Sequence, residues 1–125
     1  MEQAIYSELS YQIVGILFEV YNELGYGYQE KYYQRALAKL LDRYNVKFKK
    51  ELSYPLSIAN QSIGRYQLDF LIENKIVLEL KVANKFYPRH IKQVLGYLKA
   101  NKLKLGILAI FTKDDLQYKR IPNLY

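Results

Sequence analysis

The chain has 125 residues, a net charge of +7, no cysteine and a single histidine, His90. This length suits one domain, over residues 1–125, with one hydrophobic core. The lack of cysteine excludes disulfides and thiolate metal sites, and one histidine cannot build a histidine-rich zinc site. Any bound metal would therefore rest on carboxylates, carbonyls and water, which favours Mg²⁺ or Mn²⁺.

The sequence contains no apolar run of the roughly 20 residues that a membrane-spanning helix needs. The first helical stretch is acidic, unlike the basic start of a signal peptide. We therefore expect a cytoplasmic protein without a membrane partner.

Charge is distributed unevenly along the chain. Residues 1–30 contain five acids and no Lys or Arg, whereas the remainder holds all 19 basic residues and seven acids. A one-sided basic surface attracts polyanions, of which nucleic acid is the commonest partner. A solvated face that only keeps the protein in solution explains the same charge equally well.

Apolar residues at helical spacing predict a first helix over residues 3–24, which ends at the flexible Gly25-Tyr26-Gly27. A second helix is predicted over residues 29–44. Pro88 then opens a third helix that runs to about Ala100, because proline is well accommodated in a first helical turn.

Residues between and after these helices change to the spacing of strands, with turn residues at 59–64. The predicted strands are 48–58, 65–72, 76–82, 103–111 and 116–121. This order of elements predicts a mixed α/β or α+β fold, in which helices flank a mixed β-sheet of four to five strands.

The hairpin between two of these strands has a predicted three-residue loop, residues 73–75, which sets Asp69 opposite Glu79. One face is then entirely apolar and predicted to be core: Tyr66, Leu68, Phe70, Ile72, Ile76, Leu78, Leu80 and Val82. The opposite face displays Gln67, Asp69, Glu79 and Lys81 together. A loop one residue shorter would bury Glu79 and Lys81, so the pattern itself favours this register.

Two carboxylates at cross-strand distance repel each other unless a cation lies between them. Asp69 and Glu79 are therefore candidate ligands of a hard divalent ion, with water and the carbonyl of Leu80 filling further positions. A metal-bound water is a nucleophile near neutral pH, and Lys81 could orient it or stabilise developing charge. The alternative is a surface charge ladder, although Asp and Lys are poor strand residues.

Glu30 lies near the start of the second helix, on the same side as Tyr33 and Leu37. A carboxylate beside an apolar stripe faces the protein and could join the site. A glutamate in this position is also favoured by the helix macrodipole alone, and the pattern does not separate the two readings.

The third helix carries a buried stripe and a basic face. The basic residues are candidates for nucleic-acid binding: Arg89, Lys92 and Lys99, with Lys85 on the same face if the helix extends before Pro88. Gln93 and Tyr97 lie one turn apart at the border between these faces, next to His90. Spacing alone favours plain amphipathicity for Gln93 and Tyr97.

Residues 27–33, Gly-Tyr-Gln-Glu-Lys-Tyr-Tyr, fit the Gly-x-x-Glu-x-x-Tyr signature of the GxxExxY family, which resembles the PD-(D/E)XK nuclease superfamily. Asp69, the run Glu79-Leu80-Lys81 and the pair Gln93 and Tyr97 continue the match. This pair fits the Gln-x-x-x-Tyr motif of RecB-type nucleases. Residues 105–106, Leu-Gly, and Arg120 also agree, so the resemblance covers nearly the whole chain.

The resemblance implies a restriction-endonuclease-like core in which Glu30, Asp69 and Glu79 surround Mg²⁺ or Mn²⁺. It also implies Lys81 at the nucleophilic water, with Gln93 and Tyr97 shaping the site and holding substrate. Three positions depart from the pattern. Leu68 replaces proline, Tyr21 replaces a histidine, and Ile110-Phe111-Thr112 replaces Asn-Phe-Gly.

We therefore expect a Mg²⁺- or Mn²⁺-dependent nuclease that acts on DNA, with RNA as the alternative substrate. The alternative is a catalytically inactive module of the same fold that binds nucleic acid or a protein partner. A third hypothesis is a homodimer, because fourteen tyrosines could supply an interface.

Overall fold

The computed structural model describes residues 5–124, which form three helices and five strands. The helices are α1 (Ser7–Leu24), α2 (Glu30–Arg43) and α3 (Pro88–Asn101). The strands are β1 (Phe48–Ile58), β2 (Gln61–Ile72), β3 (Ile76–Val82), β4 (Leu105–Phe111) and β5 (Leu116–Pro122). The predicted mixed α+β fold is confirmed. Within the described range, no helix is long and apolar enough to cross a membrane.

Three elements begin two or more residues away from their predicted first residues. The turn predicted over residues 59–64 is shorter, because Ala59 and Asn60 both adopt positive φ and close a tight hairpin. Backbone pairing then extends β2 back to Gln61, where the side chains show no strand pattern. Strand β4 begins at Leu105, two residues later than predicted. Helix α1 begins at Ser7, and the predicted start at residue 3 lies outside the described residues.

The sheet has the order β1-β2-β3-β4-β5. Neighbouring strands are antiparallel except β3 and β4, which are parallel and joined by α3. A parallel pair needs such a crossover, and its two strands are buried in the middle of the sheet. Val82 pairs with Phe111, so the carboxyl ends of β3 and β4 lie side by side.

Both faces of the sheet are covered by helices. Helices α1 and α2 contribute to one hydrophobic cluster, and α3 to the other. The predicted division of the hairpin into one apolar and one polar face is therefore wrong. Leu71 and Val77, on the face opposite Phe70, pack into the α3 cluster. A sheet covered on both sides has no solvent-exposed face at its centre.

Five of the eight residues predicted as one core face do share the α1–α2 cluster: Phe70, Ile72, Ile76, Leu78 and Leu80. Leu68 instead packs with α3, whereas Tyr66 is half-buried and Val82 is exposed. The change at Leu68 coincides with an irregularity in β1, where Glu51 adopts a φ of 57° opposite Asp69. Side chains before and after this point therefore face different layers.

Gly106 permits close packing between α3 and the sheet. A Cβ at this position would lie 2.3 Å from Cγ1 of Val94, far inside normal contact distance. The glycine thus lets the helix approach β4 directly.

Candidate active site

The loop that joins α1 to α2 is held by a buried tyrosine. Gly27 has a φ of 116°, which glycine adopts without strain. Tyr33 is fully buried, and its hydroxyl donates a hydrogen bond to the carbonyl of Gly25 (2.5 Å) and accepts one from the N–H of Tyr28 (3.4 Å). The spacing of Gly27, Glu30 and Tyr33 therefore fixes the loop and places Glu30 as the first residue of α2.

Glu30 is half-buried near the end of β3. Burial raises the pKa of its carboxyl group, the charge of Asp69 adds to this, and Lys81 and the backbone of Val82 act in the opposite direction. Glu30 therefore lies within electrostatic reach of Lys81 and Asp69, as the sequence suggests.

Strands β2 and β3 separate at Asp69. Their backbone pairing covers Phe70 with Leu78 but goes no further in this direction. Beyond it, the N–H of Asp69 donates to Oε1 of Glu79 (3.1 Å), and the N–H of Leu80 donates to Oδ2 of Asp69 (2.7 Å). Carboxylate oxygens thus replace the backbone carbonyls of a regular ladder, which fixes both carboxyl groups at the opening between the strands.

Asp69 is half-buried and Glu79 is buried, with one carboxylate oxygen that lacks a hydrogen bond. Glu79 is 1% exposed, and its Oε2 atom accepts no hydrogen bond from the described residues. Lys81 Nζ lies 3.6 Å from that oxygen. Burial raises the pKa of both carboxyl groups. Burial and the charge of Asp69 together raise the pKa of Glu79 to about 9. The charge of Lys81 lowers both pKa values in part. Without a cation, the pair therefore retains a proton at neutral pH.

Gln34 contacts the site although the sequence reasoning missed it. Its Nε2 atom donates to Oδ1 of Asp69 at 2.7 Å, so that α2 orients the carboxylate directly. The available signal was its spacing, because Gln34 lies four residues after Glu30 and hence on the same helix face.

A groove of about 310 Å³ leads to Asp69 between α2 and the β1–β2 hairpin. Its polar lining comprises Lys31, Gln34, Arg35, Lys50, Glu51, Gln67 and Asp69. Gln67 was predicted beside Glu79 and Lys81 on one polar face, but it lines this groove together with residues of α2. The basic residues of the groove were also missed, because they come from α2 and β1, which are distant in sequence.

The predicted residues of α3 lie apart from the carboxylates. Tyr97 is buried in the α3 cluster, and burial alone raises its pKa. Gln93 is half-buried. The hydrogen bonds found among residues 5–124 do not link either side chain to Asp69 or Glu79. Their predicted role in the site remains a prediction.

His90 lies closer to the site. Its imidazole is buried, and its Nδ1 atom has no hydrogen-bond partner among the described residues. Burial lowers the pKa of the imidazole, and the nearby charge of Lys81 lowers it further. The start of α3 therefore faces the Lys81 side of the opening.

The basic residues predicted to bind nucleic acid are all exposed: Lys85, which precedes α3, and Arg89, Lys92 and Lys99 of α3. Two of them flank an aromatic ring, with Lys85 Nζ 5.1 Å and Arg89 Cζ 4.6 Å from the centroid of Tyr87. Cations beside an aromatic ring are typical of surfaces that bind nucleic acid.

Tyr21 and Thr112, which both depart from the GxxExxY pattern described above, contact each other. The hydroxyl of Tyr21 donates to the carbonyl of Thr112 at 2.8 Å. Phe111, the residue before Thr112, stacks on Tyr21 with ring centroids 6.1 Å apart and on Tyr33 with centroids 4.1 Å apart. Tyr21 and Thr112 thus form one structural unit that supports the buried tyrosine beneath the α2 loop.

The oxygen-rich site fits a hard divalent cation. Two adjacent carboxylates whose pKa values burial raises, with one oxygen of Glu79 that accepts no hydrogen bond, form an arrangement that a cation would stabilise. The role of Glu30 as a third ligand stays a prediction, however. Among the residues described, no group of three or more acidic or histidine side chains converges on one point. Glu30 lies within electrostatic reach of both Lys81 and Asp69, and the backbone of Val82 also lowers the pKa of its carboxyl group.

Comparisons with known proteins agree with this fold. A family model described as the PD-(D/E)XK nuclease superfamily matches residues 7–121. The crystal structure of SSO0001 is similar over 71% of this chain and 48% of that one, with a TM-score of 0.53 and 22% identity. This chain therefore spans about half the length of SSO0001.

An alkaline exonuclease, LHK-Exo from Laribacter hongkongensis, is similar over 97% of this chain and 72% of that one, with a TM-score of 0.52 and 11% identity. At such identities, the two structures support the fold alone. A search of curated proteins finds no match. Because the family model covers almost the whole chain, this protein belongs to the PD-(D/E)XK nuclease superfamily, whose members typically use divalent metal ions.

Proposed function

We propose that this protein is a Mg²⁺- or Mn²⁺-dependent nuclease that hydrolyses phosphodiester bonds, of DNA in preference to RNA. The observation that carries the proposal is the contact between Asp69 and Glu79 where β2 and β3 separate, with Lys81 beside it. Membership of a nuclease superfamily supports a nucleic-acid substrate. Similarity to an alkaline exonuclease is consistent with this proposal.

Asp69 and Glu79 would hold the ion, with the Leu80 carbonyl and water completing its coordination. Such an ion activates water near neutral pH and offsets negative charge on the phosphate. The backbone bonds from Asp69 and Leu80 keep the two carboxylates in place before any ion arrives. This preorganisation reduces the cost of assembling the site.

Lys81 is the cation closest to the pair. If Glu79 held an ion, the ammonium group of Lys81 would be available to orient the attacking water or to stabilise charge on the phosphate. Glu30 supports this role, because its carboxylate lies within electrostatic reach of Lys81. We assign Glu30 to positioning Lys81.

The direct test is cleavage of labelled single- and double-stranded DNA and RNA with Mg²⁺ or Mn²⁺ at low salt. We expect DNA cleavage that Asp69→Asn and Lys81→Ala each abolish, while Lys104→Ala, at the far end of β4, retains it. Thermal denaturation of each variant checks that folding is preserved. Intact substrate under all these conditions, or full activity in both site variants, would contradict the proposal.

A non-catalytic binding module is the second candidate. It is favoured by one observation: among the described residues, no group of three or more acidic or histidine side chains lies close enough together to hold a metal ion. This candidate predicts salt-dependent DNA binding without turnover and no heat of metal binding in calorimetry. Light scattering on the same sample would test the proposed homodimer.

A further inference from the structure

Two exposed tyrosines and two cations form a surface at the start of α2. We call it the α2 aromatic surface, and it comprises Tyr28, which precedes the helix, and Lys31, Tyr32 and Arg35 of its first turns. Tyr28 is 47% exposed and Tyr32 is 43% exposed. Lys31 Nζ lies 5.3 Å and Arg35 Cζ lies 5.6 Å from the centroid of the Tyr32 ring. Large aromatic rings beside cations can stack on bases while the cations contact phosphates.

The rings of this surface are anchored to the core. Tyr28 makes edge-to-face contacts with Tyr32 (6.4 Å) and with Tyr33 (6.1 Å). Tyr33 is fully buried and stacks on Phe111. The α2 aromatic surface is therefore held in one orientation, which lowers the entropic cost of binding a ligand.

The surface continues into the groove that leads to Asp69. Lys31 and Arg35 line both, and Lys50 of β1 adds a third cation to the groove. Apart from Asp69, the groove contains one acidic residue, Glu51. A negatively charged chain lying along this path would thus meet cations from Tyr32 to the carboxylate pair.

We propose that the α2 aromatic surface and this groove bind a single-stranded segment of nucleic acid and lead it to Asp69. Bases stack on Tyr28 and Tyr32, and phosphates contact Lys31, Arg35 and Lys50. The choice of a single strand follows from the exposed rings, because paired bases in a duplex do not offer their faces to a side chain. The identity of the polymer rests on the proposed nuclease function.

Binding of a fluorescent oligothymidine, measured by anisotropy in EDTA so that no cleavage occurs, tests the role of the rings. Base–aromatic stacking contributes about 1–3 kcal/mol, so Tyr32→Leu is expected to weaken binding about 5- to 150-fold. Tyr118→Leu is the matched control, because Tyr118 of β5 is also 43% exposed. We expect it to bind like the wild type.

The salt dependence of the same binding tests the role of the cations. Each phosphate contact on a single strand contributes a slope of about 0.7, so the double variant Lys31→Gln/Arg35→Gln should reduce the slope by about 1.4. The control Lys75→Gln/Lys104→Gln removes equal charge at the start of the central strands β3 and β4, just before the paired residues Ile76 and Leu105. It should leave the slope unchanged. Tyr32→Leu should also preserve it.

The outcomes separate this inference from the nuclease proposal. Binding of a duplex is measured in the same way. If Tyr32→Leu binds the oligothymidine like the wild type, or weakens the binding of oligothymidine and of duplex equally, stacking on the α2 aromatic surface is refuted whether or not DNA is cleaved. Absence of oligothymidine binding by the wild type refutes it as well. If binding depends on Tyr32 but no substrate is cleaved with either metal, the binding surface stands and the nuclease proposal fails.

Discussion

Replacement of Glu79 by glutamine is expected to stabilise the metal-free protein at and above neutral pH. In the wild type, Oε1 of Glu79 accepts from the N–H of Asp69, and the rest of the carboxyl group lies against the Asp69 carboxylate and Lys81. Glutamine has the same shape and can keep the first bond. Its amide N–H can also donate to Asp69, a bond for which the glutamate needs a bound proton.

The magnitude follows from linkage between proton binding and folding. The pKa of Glu79 rises from an ordinary 4.5 to about 9, so the folded state retains a proton that the unfolded state releases. The free energy of unfolding is therefore highest below the unfolded pKa, and this contribution is lost as pH rises towards the folded pKa. Each pH unit in this window corresponds to about 1.36 kcal/mol, which gives up to about 2.7 kcal/mol between pH 6 and pH 8.

Thermal denaturation in EDTA at pH 6 and pH 8 measures this effect. For a domain of this size, about 2.7 kcal/mol corresponds to roughly 10 °C in Tm. The Tm of the wild type should fall further between the two pH values than the Tm of Glu79→Gln. Glu23→Gln, a control at an exposed position of α1, should follow the wild type. Parallel pH dependence of the wild type and Glu79→Gln would refute the reasoning about the carboxylate pair.

Three further outcomes are expected. Mg²⁺ or Mn²⁺ should raise the Tm of the wild type more at pH 8 than at pH 6, because fewer protons compete for the carboxylate pair. The Tm of Glu79→Gln should rise less than that of the wild type. Equal Tm shifts at the two pH values would contradict this expectation. Gln34→Ala should weaken metal binding about 10- to 100-fold in calorimetry, because Asp69 loses an orienting hydrogen bond; unchanged affinity would exclude that role. Gly106→Ala should lower the free energy of unfolding by about 1–3 kcal/mol through overlap with Val94, whereas Gly15→Ala, with open space around its Cβ, should raise it by about 0.5–1 kcal/mol in urea titrations.

The order and type of the elements followed from local spacing along the chain. Apolar side chains at helical or alternating intervals must reach one core, and this requirement acts on neighbours in sequence. Pro88 at the start of α3 and the glycines after α1 added boundaries for equally local reasons. The pairing of Ile72 with Ile76 around a three-residue loop is local in the same sense, and the structure confirms it.

The tertiary structure alone decided how the site is assembled. The bond from the N–H of Leu80 to Asp69 exists because β2 and β3 separate, and the bond from Gln34 exists because α2 packs beside that opening. The burial of Glu79 likewise depends on α3 covering a face that alternation predicted to be exposed. Hydrogen-bond direction and desolvation depend on groups brought together from distant parts of the chain. The sequence by itself therefore determined which residues are candidates, and packing decided their contacts and charge state.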